Sequence, residues 1–279
     1  MKTLEKYFQN REDDITLLLN KPKGEYTSDT FHKLRVEIKK LNALFDLINF
    51  CSKYFKSKKT FKPFKFIFSQ AGKVRALQVE EVMLKKYFRT GSLKDYRNNL
   101  KRLRLKEGEI FFELANKKLV TGLKKKYRKI ESFIELIDKK QVDAYMKSRQ
   151  KKIEKLLAHS PLQIPQIHIL RKRLKIFHYN QNSLNLLNQN KPLPKKDILT
   201  ELLGKWHDCQ VIIDHLQNTM DTGGINSNEI GQLKKIKTKI SSDSKILFNK
   251  IKQAIPTSEF FRADVQHHRV DNNLKAGKK

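Results

Sequence analysis

The chain has 279 residues, 60 of them Lys or Arg against 29 Asp or Glu, a formal net charge of +31, and 38% hydrophobic residues. So large a positive excess repels itself unless a polyanion, an anionic membrane surface or small ions neutralise it, and the apolar fraction is enough for one large domain or two small ones rather than a disordered chain. The only cysteines, Cys51 and Cys209, are far apart and outside any CxxC, which argues against a disulfide framework or a zinc ribbon.

In chain order, the apolar period predicts a helix from about Leu4 to Leu19, closed by Pro22 and Gly24. Thr27, Ser28 and Asp29 then offer N-caps for a second helix running to about Tyr54. Lys56 to Thr60 reads as a basic turn. A third helix is expected from Phe61 to Arg89, burying Phe64, Ile67, Phe68, Ala71, Val74, Leu77 and Val82 and ended by Thr90-Gly91-Ser92. A long helical stretch from Leu93 to about Ile137, broken near Val120-Thr121-Gly122, completes four elements. The second cycle begins at about Val142, where Ile153-Glu154-Lys155-Leu156-Leu157 echoes Ile15-Thr16-Leu17-Leu18-Leu19. Pro161 and Pro165 mark the turn before a helix ending near Asn188. Pro192 and Pro194 precede another from about Lys195 to Met220, broken by Gly223-Gly224, and a last helix runs from about Asn228 to Ile255.

No segment shows the strict alternation or hairpin turns of strands, so the fold is expected to be all-α. No apolar run approaches the roughly 20 residues of a membrane span, and the first residues lack the apolar stretch of a secretion signal. A cytoplasmic protein is expected.

The two cycles share a motif. Phe31-His32-Lys33-Leu34-Arg35-Val36-Glu37-Ile38-Lys39-Lys40-Leu41-Asn42 returns, shifted by 136 positions, as Ile167-His168-Ile169-Leu170-Arg171-Lys172-Arg173-Leu174-Lys175-Ile176-Phe177-His178. At about 100° per residue, Leu34, Ile38, Leu41, Phe45 and Ile48 form an apolar stripe, matched by Leu170, Leu174, Phe177 and Leu184. Beside it lies a second stripe, His32, Arg35, Lys39 and Asn42 in one copy and His168, Arg171, Lys175 and His178 in the other. A single basic stripe beside a packing seam is most often a solvated face. Two in the same phase point to a binding surface, with Lys40 and Lys172 alongside. After each motif comes a further matching piece, Gly72-Lys73-Val74-Arg75-Ala76 and Gly204-Lys205-Trp206-His207-Asp208. Glycine inside a helix costs about 0.5–1 kcal/mol relative to alanine, so close helix approach is the expected reason for both. Arg75 reads as a ligand-facing cation and His207 as structural.

Four helices in each cycle predict two four-helix bundles related by internal duplication and pseudo-twofold symmetry. The repeats span about residues 1–140 and 141–255, and 256–279 read as a flexible basic tail.

The paired motifs resemble the CHAD family, the conserved histidine α-helical domain, whose pattern is His-x-Leu-Arg-x-x-x-Lys/Arg at the head of a long helix in each of two repeats. The resemblance covers roughly residues 1 to 255. It implies binding of inorganic polyphosphate along the basic surface where the bundles meet, in the cytoplasm and in association with polyphosphate granules. The chain departs from the family's Gly-x-x-Arg/Asn-Asp piece, with Ala76 in place of Asp in the first copy and His207 in place of Arg or Asn in the second.

The residues support an anion site on their own terms. Arginine grips phosphate bidentately, lysine supplies a point charge, and histidine gains a charge when an anion raises its pKa. The expected contacts are His32, Arg35, Lys39, Lys40 and Arg75 from the first repeat and His168, Arg171, Lys172, Lys175 and His178 from the second. His32 and His168 are expected to take up protons on binding near their ordinary pKa of about 6.5. Neither has an acidic or cysteine partner at metal-ligand spacing, no nucleotide-binding or nucleophile motif occurs, and Glu80-Glu81 reads as a salt-bridged face. No metal, cofactor or catalytic activity is therefore expected. The alternatives are a nucleic-acid-binding protein, although no helix-turn-helix spacing or aromatic platform is evident, and a basic scaffolding or peripheral membrane protein using the faces 124–129 and 234–239.

Overall fold

The apolar period of the sequence becomes helix throughout the computed structural model, which describes residues 2–87, 93–158, 161–185, 198–222, 225–258 and 260. Among these residues the chain is all-α, with nine α-helices, one short 3₁₀ turn at Lys23–Glu25 and no strand. The helices are α1 (Lys2–Leu19), α2 (Ser28–Cys51), α3 (Ser57–Tyr87), α4 (Lys94–Leu114), α5 (Lys117–Ile134), α6 (Lys139–Leu157), α7 (Ile164–Asn185), α8 (Ile198–Thr222) and α9 (Ser227–Ala254). None is long and apolar enough to cross a membrane. The expected breakers Thr90-Gly91-Ser92, Pro192, Pro194 and Gly223-Gly224, and the tail beyond 260, lie outside the described residues.

Caps decide several boundaries. Thr27 accepts a hydrogen bond from the Thr30 N–H and the Thr30 side chain accepts one from Thr27 N–H, fixing the start of α2. Asp138 and Gln141 do the same for α6, which starts at Lys139 rather than Val142. The expected basic turn, Lys56 to Thr60, instead leads directly into the first turn of α3. The break expected near Gly122 falls at Ala115–Asn116, where the Asn116 side chain accepts from the Leu119 N–H at 3.0 Å and caps α5. A capping oxygen satisfies orphan N–H groups, whereas a lone glycine is tolerated inside a helix. The first half of the chain thus holds five helices, not four.

The buried side chains form three clusters among the described residues. One is built from α1, α2, the first half of α3 and α5, with Phe111 of α4 and Val142 and Tyr145 of α6. A second gathers the end of α6, α7, the start of α8 and the end of α9. The third joins the end of α3 and the start of α4 to the end of α8 and the start of α9. The third cluster therefore draws on both halves of the chain. Its buried polar centre is Glu80, which accepts from the Tyr96 hydroxyl and faces His215 Nδ1 at 2.5 Å. Glu81 pairs with Arg104 at 3.8 Å, so the two adjacent carboxylates have separate partners.

Further polar contacts fasten the halves. Leu93, with φ 62°, leaves the start of α4 without a local cap, and the Asp95 and Tyr96 N–H groups donate instead to the Glu229 carboxylate of α9 at 2.9 and 2.8 Å. Between α2 and α7, the buried Asn180 amide donates to the Ala43 carbonyl at 2.8 Å and to the Tyr145 hydroxyl at 2.7 Å. Tyr145 donates onward to Asp46, which Arg149 grips bidentately at 2.8 Å.

Asn180→Leu removes two buried hydrogen bonds and takes a donor from the buried Tyr145 hydroxyl, so a loss of about 1–3 kcal/mol is expected. Urea unfolding should show it as a lower midpoint at unchanged slope.

Candidate functional site

Residues three and four apart share a helix face, so α2 presents His32, Arg35 and Lys39 together and α7 presents Arg171 and Lys175. Helix α3 adds Gly72, Arg75, Ala76 and Val79, and α8 adds Gly204, His207, Asp208, Val211 and Ile212. All of them line one cleft of about 230 Å³.

Arg35 is the most firmly held of the cations. Its Nη1 donates to the Phe68 carbonyl at 2.6 Å and its guanidinium lies 4.1 Å from the centroid of the Phe68 ring. A Cβ on Gly72 would come within 2.1 Å of that Nη1. The close approach that demands glycine is therefore that of an arginine side chain, not of a neighbouring helix. A Cβ on Gly204 would meet nothing within 4 Å, so the expected packing reason does not hold there. Arg75 Nη1 donates to Ser28 Oγ. The buried Arg171 Nε and His207 Nδ1 have no hydrogen-bond partner.

The remaining expected contacts sit elsewhere. His168 is next to the cleft, with its ring 4.9 Å from Trp206 and 5.8 Å from His207, but does not line it. Lys40 is turned to the far side of α2 and pairs with Glu37 at 2.7 Å, whose other oxygen meets Arg11 at 2.5 Å. Lys172 is exposed away from the lining. His178 has Nδ1 3.4 Å from Gln181 Oε1 and its ring beside Phe177 and Phe260. It shares the phase of Arg171 and Lys175, but nearby on α7 the Asn180–Ala43 hydrogen bond joins α7 to α2, and His178 is not part of the lining. Conversely, His207 was expected to be structural and is part of the cleft wall. Asp208, its neighbour, is the one carboxylate lining the cleft among the described residues. Their positions opposite Arg75 and Ala76 in the repeat alignment were the available signal.

Burial of like charges shapes the electrostatics. Lys39 is pushed down to about 7 by burial and then by Lys175, Arg35 and Arg171. Burial, then Arg171, takes Lys175 to about 8. Arg35 falls to about 10 through burial, Arg75 and Arg171, and His207 to about 4 through burial, Arg171 and His168. His32 is lowered by burial, Arg75 and Lys39. Burial raises Asp208, against the pull of Arg171, Lys175 and Lys39. Lys39 and Lys175 can therefore take up protons near and above neutral pH, where only the histidines were expected to titrate. No group of three or more His, Cys, Asp or Glu side chains placed to hold a metal ion occurs among the described residues.

Residues 16–217, well over half of the chain, match the CHAD domain. The chain belongs to the CHAD family. No curated protein matches it. Every residue lining the cleft of this CHAD protein falls inside the matched span, while α9, which completes the third core, lies beyond it.

Between about pH 7 and the ordinary lysine value near 10.4, the unfolded chain holds a proton at Lys39 that the folded protein has released. Stability of the free protein should therefore rise with pH across that window. Lys39→Met should flatten the rise and stabilise the protein at pH 7 by an amount on the order of 1 kcal/mol, read from denaturant melts at a series of pH values.

Proposed function

We propose that this CHAD protein binds inorganic polyphosphate in the basic cleft between α2, α3, α7 and α8, and that it is a binding protein rather than an enzyme. CHAD domains are associated with polyphosphate binding in general. The observation that carries the reading is the meeting of equivalent cations, Arg35 with Arg171 and Lys39 with Lys175, around one cleft with a single carboxylate. Without an anion these groups are desolvated and repel one another. A multivalent anion removes both penalties, raises the lysine pKa values and draws protons into the complex.

Polyphosphate suits the cleft better than nucleic acid does. It carries charge on every phosphorus without bases or sugars, matching cations one helical turn apart. The described lining has no Phe, Tyr or Trp on which a base could stack. The same reading takes the chain as an internal duplication with pseudo-twofold symmetry, which is supported by Arg35, Lys39 and Gly72 on one side answering Arg171, Lys175 and Gly204 on the other. It also carries a cytoplasmic location on polyphosphate granules.

Long-chain polyphosphate should outcompete single- and double-stranded DNA at matched phosphate concentration, with an affinity that falls steeply with salt. DNA displacing it mole for mole in filter binding would refute the assignment. Arg35→Ala with Arg171→Ala should weaken binding at least about tenfold, roughly 1.4 kcal/mol, whereas Lys234→Ala with Lys235→Ala should change it little. Equal losses would show that net charge alone binds.

A second expected contrast is between the glycines. Gly72→Ala displaces the Arg35 guanidinium and should lower affinity with helical content intact, while Gly204→Ala should leave both unchanged. Circular dichroism and polyphosphate titration of the two variants check this.

A further inference from the structure

A second basic pocket of about 290 Å³ lies at the far end of α2, lined by Tyr54, Phe55, Lys56, Lys59, Thr60, Lys126, Lys129, Ile130 and Phe133. Its floor is core, with Phe55 and Ile130 almost fully buried and the Phe55 and Phe133 rings 5.3 Å apart. Every charged residue of its lining is a lysine, with no carboxylate among them. Some exposed lysines elsewhere have acidic partners, as in Lys33–Asp29, Lys23–Glu109, Lys73–Glu107 and Lys205–Glu201. The rim lysines Lys56, Lys59, Lys126 and Lys129 are in none of the ion pairs among the described residues.

The rim also includes the first turn of α3, which has no acidic residue although a helix N-terminus favours negative charge. Four lysines and the positive end of a 31-residue helix border one pocket, and an anion bearing several charges can pair with all of them.

The pocket lies along α3 from the cleft. Lys59 and Arg75 are 16 residues apart, about 24 Å along the axis at 1.5 Å per residue and about 160° round it at 100° per residue, so a ligand reaching both also winds across the helix. At 100° per residue, Lys58, Lys62, Lys65 and Ser69 lie on the stripe that continues into the cleft residues Gly72 and Ala76. The three lysines of that stripe are exposed and are in none of the ion pairs among the described residues. We infer that the Lys56–Lys59–Lys126–Lys129 pocket is a second binding site for condensed phosphate, so that one long chain runs along α3 and occupies cleft and pocket together. This rests on the reading of the cleft given above for the ligand's identity, but the pocket is tested separately.

Two linked sites raise the affinity of a ligand long enough to touch both, by roughly 10²–10⁴. Tripolyphosphate is too short to span them and reports each site singly. Lys59→Ala/Lys126→Ala/Lys129→Ala should lower affinity for long-chain polyphosphate about 100-fold and leave tripolyphosphate binding at the cleft unchanged. The charge-matched Lys234→Ala/Lys235→Ala/Lys239→Ala should spare both. In calorimetry, the Arg35→Ala/Arg171→Ala protein should keep one tripolyphosphate site, and adding the three pocket substitutions should remove it. A site that persists there while wild type shows no other supports the pocket and removes the cleft reading, so the two failures are told apart. Equal losses of long-chain affinity in the two triple variants would overturn the proposal. So would the absence of any tripolyphosphate site in the Arg35→Ala/Arg171→Ala protein. Pocket-dependent binding to phosphatidylcholine vesicles containing phosphatidic acid, without binding to tripolyphosphate, would overturn it in favour of a lipid headgroup.

Discussion

Half-buried like charges held together around one cleft are what the rest of this structure depends on. Arg35, Lys39 and Lys175 lose solvation and are repelled by neighbouring cations, and Arg171 loses solvation, so every one of them is pushed towards its neutral form. Such an arrangement opposes folding and persists only because other contacts hold it. The cations grow from helices anchored by apolar seams on their opposite flank, the Asn180–Ala43 bond pins α2 to α7, and the third core clamps α3 against α8. Stability spent at the cleft is made good elsewhere, as is common for binding sites.

The sequence carried much of this in its periodicities. The all-α class and the pairing of the two His-x-Leu-Arg motifs follow from helical phase alone, and phase also placed Arg35, Lys39, Arg171 and Lys175 on one side of their helices. Phase says nothing about how far along its helix a site extends. His178 keeps the right angle yet is left out, and Lys40 turns away to the buried Glu37 three residues before it. The reason for Gly72 was equally hidden, because the atom filling its vacant Cβ space comes from residue 35.

The misplaced break between α4 and α5 has one physical origin. Gly122 was weighted as a breaker while Asn116 was overlooked as a cap, although a side-chain oxygen at the right N–H outweighs a modest propensity penalty. The shared third core was missed for a different reason. Its residues, such as Leu77, Tyr96, Ile212 and Ile236, read as ordinary core positions of their own helices, and nothing local says that the partner lies more than a hundred residues away.

The Glu229 cap on α4 has a bearing on how the chain is made. Synthesis proceeds from the N-terminus, and early segments begin to fold while later ones are still being added. The first turn of α4 must therefore wait for a carboxylate more than 130 residues downstream. Until it arrives, two N–H groups lack that carboxylate, and Tyr96 and Leu100 lack the apolar neighbours that α8 and α9 add to their cluster. Such long-range closure slows folding. The nascent first half is thus a set of helices with one face unfinished, and α9, the last helix among the described residues, is the one that completes it.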